Sequence, residues 1–164
     1  MCPCSIPSAI LTLLLAAALG NTALAQGAAA HRCPPPAEMK AERLFGRWTA
    51  QFSNPPPGLP ARATVLLERH AEFSDSLAGT VGREMISDAG APLAHAASAA
   101  LAGDLDDGVL VLDESSDRIS ITGTWNAEMV EGSCGREFLG VWKDTSKTAP
   151  GGAPELAFRL TRQP

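Results

Sequence analysis

The feature that most constrains the fold of this chain is an alternation of apolar and polar residues in short segments. In RISITGTWNA, residues 118–127, small or apolar residues alternate with serine, threonine and asparagine from Ile119 to Asn126. Side chains two residues apart in a β-strand share a face, whereas a helix repeats about every 3.6 residues. The pattern therefore predicts strands with one buried face, and it places Ile119, Ile121 and Trp125 on that face.

Eight segments of the 164-residue chain are predicted to be strands. They lie at residues 46–53, 62–69, 76–83, 97–105, 108–113, 119–126, 135–143 and 155–162. Turn residues separate them, as in LDDGV at 105–109, which predicts a tight hairpin, and DESSD at 113–117. Short strands joined in sequence by short turns favour an antiparallel meander, and eight strands close into a small barrel. The predicted fold is all-β, an eight-stranded antiparallel up-and-down barrel.

Two stretches of the chain fall outside the alternating pattern. CPPPAEMKAERLFG, residues 33–46, predicts a short N-terminal helix of about two turns that ends near Gly46, because proline is favoured in a first helical turn. The alanine-rich residues 89–103 fit a short helix or an inserted loop before the fourth strand. Alanine favours helix, and periodicity does not decide between these alternatives.

The first 25 residues have the composition of a secretory signal peptide. They contain no charged side chain, an apolar run at 10–19, and an Ala-x-Ala site at Ala23 and Ala25. The run is too short to span a bilayer, so we predict cleavage before Gln26 and no membrane span afterwards; the alternative is a retained anchor. The predicted division is a signal peptide at 1–25, an N-terminal tail at 26–36 and a β-barrel domain at 37–164.

Cleavage would leave one pair of thiols, Cys33 and Cys134. A lone pair exported to an oxidising compartment is expected to form a disulfide. The loop that it closes has about 100 residues, and the chain-entropy model gives such a loop about 4.7 kcal/mol of stabilisation. A redox-active pair would need Cys-x-x-Cys spacing, which this pair lacks. We predict a structural disulfide in a periplasmic or secreted protein.

Charge and motif spacing exclude several classes of function. The net charge of −5 argues against nucleic acid and anionic membranes as partners. His31, His70 and His95 lack metal-ligand spacing, and the acidic run 103–117 departs from the EF-hand pattern, so we assign its carboxylates to solvated turns. The predicted inward residues are almost wholly apolar, which leaves no paired carboxylates for hydrolysis. We predict no catalytic residue, no metal and no cofactor.

Every tryptophan in the chain lies two residues after a glycine, in GRW, GTW and GVW. In a strand these two residues share a face, and an inward glycine lets the strand bend and leaves room for an indole of a neighbouring strand. The triplets are interpreted first as a packing device. The alternative is an apolar pocket, whose predicted ligand-binding residues are Trp48, Trp125, Trp142, Phe52 and Phe138.

The first triplet also carries a family resemblance. LFGRW, residues 44–48, preceded by a short helix, resembles the opening of calycin-type barrels, which include lipocalins, avidins and bacterial periplasmic inhibitors of secreted metalloproteases. The resemblance implies a small barrel that holds a ligand or, as in the inhibitors, enters a protease with the segment ahead of the barrel, here residues 26–32. The polar biotin ligand of avidins is replaced by Ala50, and the chain has no tyrosine, so biotin is not implied.

These observations predict an exported, non-enzymatic β-barrel protein that binds a small apolar ligand. The alternative is a periplasmic protein-interaction or protease-inhibitor module that acts through its N-terminal tail and loops. The two hypotheses differ in whether the three indoles meet a ligand or one another.

Overall fold

The structure, a computed structural model, describes residues 33–55, 59, 61–83, 98–146 and 155–164. Within these residues eight strands form a closed barrel in which each strand pairs antiparallel with the next and the last pairs with the first. The strands are β1 Gly46–Phe52, β2 Arg62–Arg69, β3 Leu77–Arg83, β4 Ser98–Asp106, β5 Val109–Ser115, β6 Gly123–Met129, β7 Glu137–Asp144 and β8 Glu155–Arg162. The predicted antiparallel up-and-down barrel is confirmed.

Inward-facing side chains of all eight strands fill the barrel. Burial alternates along the strands, as the period-two pattern requires. The buried apolar residues of the strands are Trp48, Ala50, Phe52, Ala63, Val65, Leu67, Leu77, Val81, Ala99, Leu101, Leu110, Leu112, Trp125, Ala127, Phe138, Trp142, Leu156, Phe158 and Leu160. We call the end where β1 begins the proximal end, and the end where β1 stops the distal end.

The predicted N-terminal helix of two turns is instead two separate 3-10 segments, Pro36–Glu38 and Ala41–Leu44. Met39 and Lys40 between them have extended backbone, which interrupts the helical hydrogen bonds. Leu44 is fully buried and joins the core at the proximal end. In the part of the chain that the structure describes, no helix is long and apolar enough to cross a bilayer.

The predicted disulfide between Cys33 and Cys134 is present and joins the chain ahead of the first 3-10 segment to the turn between β6 and β7. This turn carries positive φ angles at Gly132, Cys134 and Gly135. The proximal end is therefore closed by noncovalent packing and by a covalent link. The predicted signal peptide and residues 26–32 lie outside the described residues.

The strand predictions were wrong at the start of β6, which begins at Gly123 and not at Ile119. Ile119 and Ile121 were predicted to face the core, but 91% and 51% of their surfaces are exposed. The cause is Asp117, whose carboxylate accepts the backbone N–H groups of Ile119 and Ser120. These bonds compete with a strand ladder and turn the chain before β6. The fourth strand spans 98–106, whereas residues 89–97 of the alanine-rich stretch lie outside the described part.

Candidate functional site

The five residues of the predicted pocket separate into two aromatic clusters. Trp48 lies towards the proximal end, where its ring meets Phe138 edge-on with 5.8 Å between centroids. Trp125 and Trp142 are directly opposite each other on β6 and β7, nearer the distal end. The ring of Phe52 lies 5.6 Å from that of Trp125 and 6.1 Å from that of Trp142.

The distal cluster also includes Phe158 of β8. Its ring centroid lies 4.9 Å from that of Trp125 and 6.2 Å from that of Phe52, in both cases edge-on. These are the separations and orientations that aromatic pairs favour, because a positive ring edge meets a negative ring face. The distal aromatic rings are therefore packed on one another from four strands.

A buried carboxylate lies among these rings. Glu114, near the end of β5, is only 2% exposed. Its Oε2 atom accepts the indole N–H of Trp125 at 3.0 Å and that of Trp142 at 3.1 Å. Two guanidinium nitrogens of Arg83, at the end of β3, donate to the two carboxylate oxygens. Four donors therefore converge on one carboxylate. We call Glu114 and its three partners, Arg83, Trp125 and Trp142, the carboxylate cluster.

Arg83 also interacts with the tryptophan faces. Its Cζ atom lies 4.8 Å from the ring centroid of Trp142 and 5.7 Å from that of Trp125. The guanidinium is thus paired with Glu114 at its edge and with indole rings at its face, the two interactions for which its planar charge is suited. Because its side chain is only 14% exposed, little water reaches the ion pair.

Gly123, from the GTW triplet, makes room for this arrangement. A Cβ atom at this position would lie 2.7 Å from the indole nitrogen of Trp142 and 3.2 Å from Oε2 of Glu114. The first of these separations is shorter than real Cβ contacts allow. The glycine of one strand therefore leaves the space that an indole of the neighbouring strand occupies, as the packing interpretation of the triplets predicts.

The chemistry of the carboxylate cluster is that of a buried ion pair hydrogen-bonded from within the barrel. Oε2 of Glu114 accepts three donors and Oε1 accepts one, all from Arg83, Trp125 and Trp142. A general base needs a free lone pair directed at a substrate. In the described residues, every buried side-chain nitrogen and oxygen has a hydrogen-bond partner. The geometry thus favours a role in holding the distal interior together.

The carboxylate cluster was missed from the sequence. The inward residues are almost wholly apolar, as predicted, but Glu114 is the exception among the described residues, and its assignment to a solvated turn was wrong. The signal was the alternation itself, because Leu110 and Leu112 face inward and Glu114 continues their phase along β5. Arg83 likewise follows Val81 at a spacing of two on β3.

Of the other polar residues that the sequence singled out, Asp104, Asp106 and Asp113 lie on β4 and β5 with exposed side chains and not in turns as predicted, and the rest of those described occupy turns. His70 accepts the backbone N–H groups of Glu72 and Phe73 with its Nδ1 atom, which organises the turn between β2 and β3. Asp107 and Gly108 have positive φ angles in the predicted tight hairpin between β4 and β5. No group of three or more potential ligands is placed to hold a metal ion among the described residues. His31 and His95 lie outside them.

The outer surface of the barrel carries exposed apolar side chains. Val111, Leu139 and Val141 project outwards from β5 and β7, and a depression of about 510 Å³ covers part of β6 and β7 beside the last two. A second depression, of about 380 Å³, lies beside Ile119 and Ile121 at the distal end. These depressions are on the outside of the barrel.

The closed eight-stranded barrel agrees with the calycin-like architecture that the first triplet implies. No family model matches the chain, and no curated protein matches it in sequence.

Proposed function

We propose that this protein is a non-enzymatic interaction module that binds a protein partner with its outer surface and loops, and that its barrel interior is a solid support. The observation that carries the proposal is the internal use of all three indoles. Trp48 donates its N–H to the carbonyl oxygen of Leu44 at 2.8 Å, and Trp125 and Trp142 donate theirs to Glu114. The three indole rings also contact other aromatic rings of the barrel.

A small apolar ligand would have to compete with these internal contacts. At the distal end it would displace rings that pack around Phe52 or separate the indoles from Glu114. The second change leaves a buried carboxylate with fewer hydrogen bonds, which is costly because a buried charge has no water to replace them. Ligand binding among the tryptophans stays a prediction, but the geometry favours the protein-interaction alternative.

The exposed apolar side chains support a binding role for the outside of the barrel. Ile119, Ile121, Val111, Leu139 and Val141 are all exposed, and they lie on the loop between β5 and β6 or on the outer faces of the strands. Grouped exposed apolar residues are typical of protein-binding surfaces, whereas isolated ones need no explanation. A rigid barrel would present them in fixed positions.

The proposal places this binding activity in an oxidising compartment. The disulfide between Cys33 and Cys134 is of the kind that persists in periplasmic and secreted proteins. The predicted signal peptide, residues 1–25, points to the same compartments.

The first test is a titration of the full chain with the lipophilic probe N-phenyl-1-naphthylamine, followed by tryptophan emission. We expect no saturable change, because the indoles of Trp125 and Trp142 pack against each other and against Phe52. The matched control is Phe52→Ala, which opens a cavity beside Trp125 and Trp142 and should let the probe bind and quench. Phe52→Leu gives a smaller cavity if the alanine variant is too unstable. Saturable quenching of the wild type would contradict the proposal that side chains fill the barrel interior.

The second test is amine-reactive cross-linking of the full-length chain in the cells that produce it. A discrete product that joins this chain to one other protein, and that is also recovered at low chain expression, supports the proposal. The absence of any such product would count against a protein partner.

A further inference from the structure

We propose that the loop between β5 and β6, residues 116–122, is the surface that the partner protein recognises, with Ile119 as the anchor that enters an apolar pocket of that protein. The inference rests on the proposed function, since it assigns a surface and a partner chemistry to the same binding activity. It is carried by three properties of the loop: its rigidity, the exposure of its apolar side chains and its flanking charges.

The loop is organised by Asp117. Its Oδ1 atom accepts the backbone N–H groups of Ile119 and Ser120, both at 2.8 Å, and its Oδ2 atom accepts the hydroxyl of Ser120 at 2.6 Å. These hydrogen bonds, those from Ser120 foremost, hold the pKa of Asp117 well below its usual value. The carboxylate therefore remains ionised, and the turn remains formed, as the pH falls past the ordinary pKa of an aspartate.

Further hydrogen bonds attach the loop to the barrel. Thr122 donates its backbone N–H to the carbonyl oxygen of Glu114 at 2.7 Å, and its hydroxyl accepts the backbone N–H of Ser116 at 3.1 Å. Thr145, beyond the end of β7, donates its backbone N–H to Thr122 and its hydroxyl to the carbonyl oxygen of Ile121. The base of the loop is thus hydrogen-bonded to the backbone of Glu114, whose carboxylate is the centre of the carboxylate cluster.

This rigid loop presents its apolar side chains to solvent. Ile119 is the most exposed large apolar residue among those described, and Ile121 projects next to it. Beside them, Ala100 and Ala102 line the depression of about 380 Å³. A preordered loop loses little conformational freedom on binding, so that less of the hydrophobic gain from burying an isoleucine is offset by the cost of ordering the loop.

The charges around Ile119 indicate the chemistry of the pocket that would receive it. Asp117 lies in the loop and Asp113 lies ahead of it on β5, and Arg118 is the one described cation within residues 113–122. Glu114 is already paired with Arg83, so the loop and its flanks carry a net negative charge. This charge, like the net charge of the chain, repels anionic lipid surfaces and complements a basic rim. The partner that fits is a protein with an apolar pocket bordered by basic side chains.

The test is site-specific photo-cross-linking of the full-length chain in the cells that produce it. The residue p-benzoylphenylalanine replaces Ile119, Val141 or Phe73 in three separate variants. Val141 samples the outer face of the barrel, and Phe73 is an exposed aromatic residue in the turn between β2 and β3, at the proximal end. We expect one discrete product from position 119, identified by mass spectrometry, and none from position 73.

Binding of the identified and purified partner is then measured by calorimetry. Ile119→Asp should raise the Kd at least about tenfold, because an anchor in a desolvated pocket dominates such interfaces. Phe73→Asp, which introduces the same charge at the other end of the barrel, should change it by less than about twofold. Asp117→Ala keeps both isoleucines but removes the carboxylate that orders them, and should raise the Kd about three- to tenfold.

The following outcomes would contradict the proposal that the partner recognises the loop. A product from position 141 with none from position 119 would keep the protein partner and overturn the loop as its contact. A product from position 73 alone would likewise keep the protein partner and overturn the loop, and products from none of the three positions would overturn both this inference and the proposed function. A product composed of two copies of this chain would show that the loop mediates self-association and does not bind a different protein. An unchanged Kd for Ile119→Asp would show that Ile119 is not the anchor.

Discussion

At both ends of the barrel an arginine lies over a tryptophan, but the two arginines donate hydrogen bonds to different kinds of acceptor. At the proximal end, Arg162 lies 5.9 Å from the ring centroid of Trp48 and donates to the carbonyl oxygens of Arg43 and Phe45. At the distal end, Arg83 lies over Trp142 and donates to the carboxylate of Glu114. One arginine fastens backbone, and the other neutralises a buried charge.

The comparison shows that the effect of removing an arginine depends on whether its hydrogen-bond partner is neutral or charged. Backbone carbonyls are neutral, so removal of Arg162 leaves dipoles that water or rearranged backbone can satisfy. Glu114 is ionic and buried, so removal of Arg83 leaves a charge that nothing else in the described interior can compensate. The two ends should therefore respond differently to the same substitution.

The largest expected effect is that of Arg83→Met. It should lower the free energy of unfolding by about 3–5 kcal/mol, because one partner of a buried ion pair is lost while the other remains. Urea denaturation measures the change. The double variant Arg83→Met/Glu114→Gln, which removes both charges and keeps an acceptor for the indoles, should recover at least half of it. A loss below about 1 kcal/mol for the single variant would show that the pair is not desolvated.

A smaller effect is expected for Arg162→Met, about 2 kcal/mol, because hydrogen bonds from a charged donor are lost and no carboxylate is left unpaired. Arg159→Met, on the same strand, removes an exposed arginine paired with Glu137 and should cost less than about 1 kcal/mol. Both are measured in the same denaturation series. If Arg162→Met proves as costly as Arg83→Met, charge compensation is not what distinguishes the two ends.

A still smaller effect than that of Arg162→Met is expected for Gly123→Ala, about 1.5 kcal/mol of destabilisation, because the new methyl group displaces the indole of Trp142. Near-ultraviolet circular dichroism should change with it. Gly82→Ala is the control, since a Cβ atom there has open space, and it should be neutral or slightly stabilising. Equal effects of the two substitutions would contradict a packing role for the glycine of GTW.

Much of the fold could be predicted from the sequence because the barrel is built from local alternation. The start of β6 could not, since the hydrogen bonds of Asp117 prevail over an alternating pattern that is otherwise intact. Glu114 and Arg83 lie on β5 and β3, which are separated by β4, so their pairing depends on how the sheet brings these two strand ends together. Sequence periodicity gives the face of each residue but not which residues meet across the interior.

The Gly-x-Trp triplets illustrate the same limit. One packing device was predicted, and the three glycines serve three purposes. Gly46 has a φ of +128°, Gly123 leaves space for Trp142, and a Cβ atom at Gly140 would lie 2.1 Å from the carbonyl oxygen of Asn126. The same Gly-x-Trp pattern thus meets a different neighbour on each strand.

The closure of the barrel limits how another protein can recognise it. Because β1 pairs with both β2 and β8, the ladder of eight described strands has no free edge to which a partner could add a strand. Recognition of this surface has to depend on side chains and loop backbone. A systematic alanine scan of the outward positions should therefore identify the residues that contribute to binding a partner protein. Such a scan does not detect main-chain hydrogen bonds, but few of these are expected here.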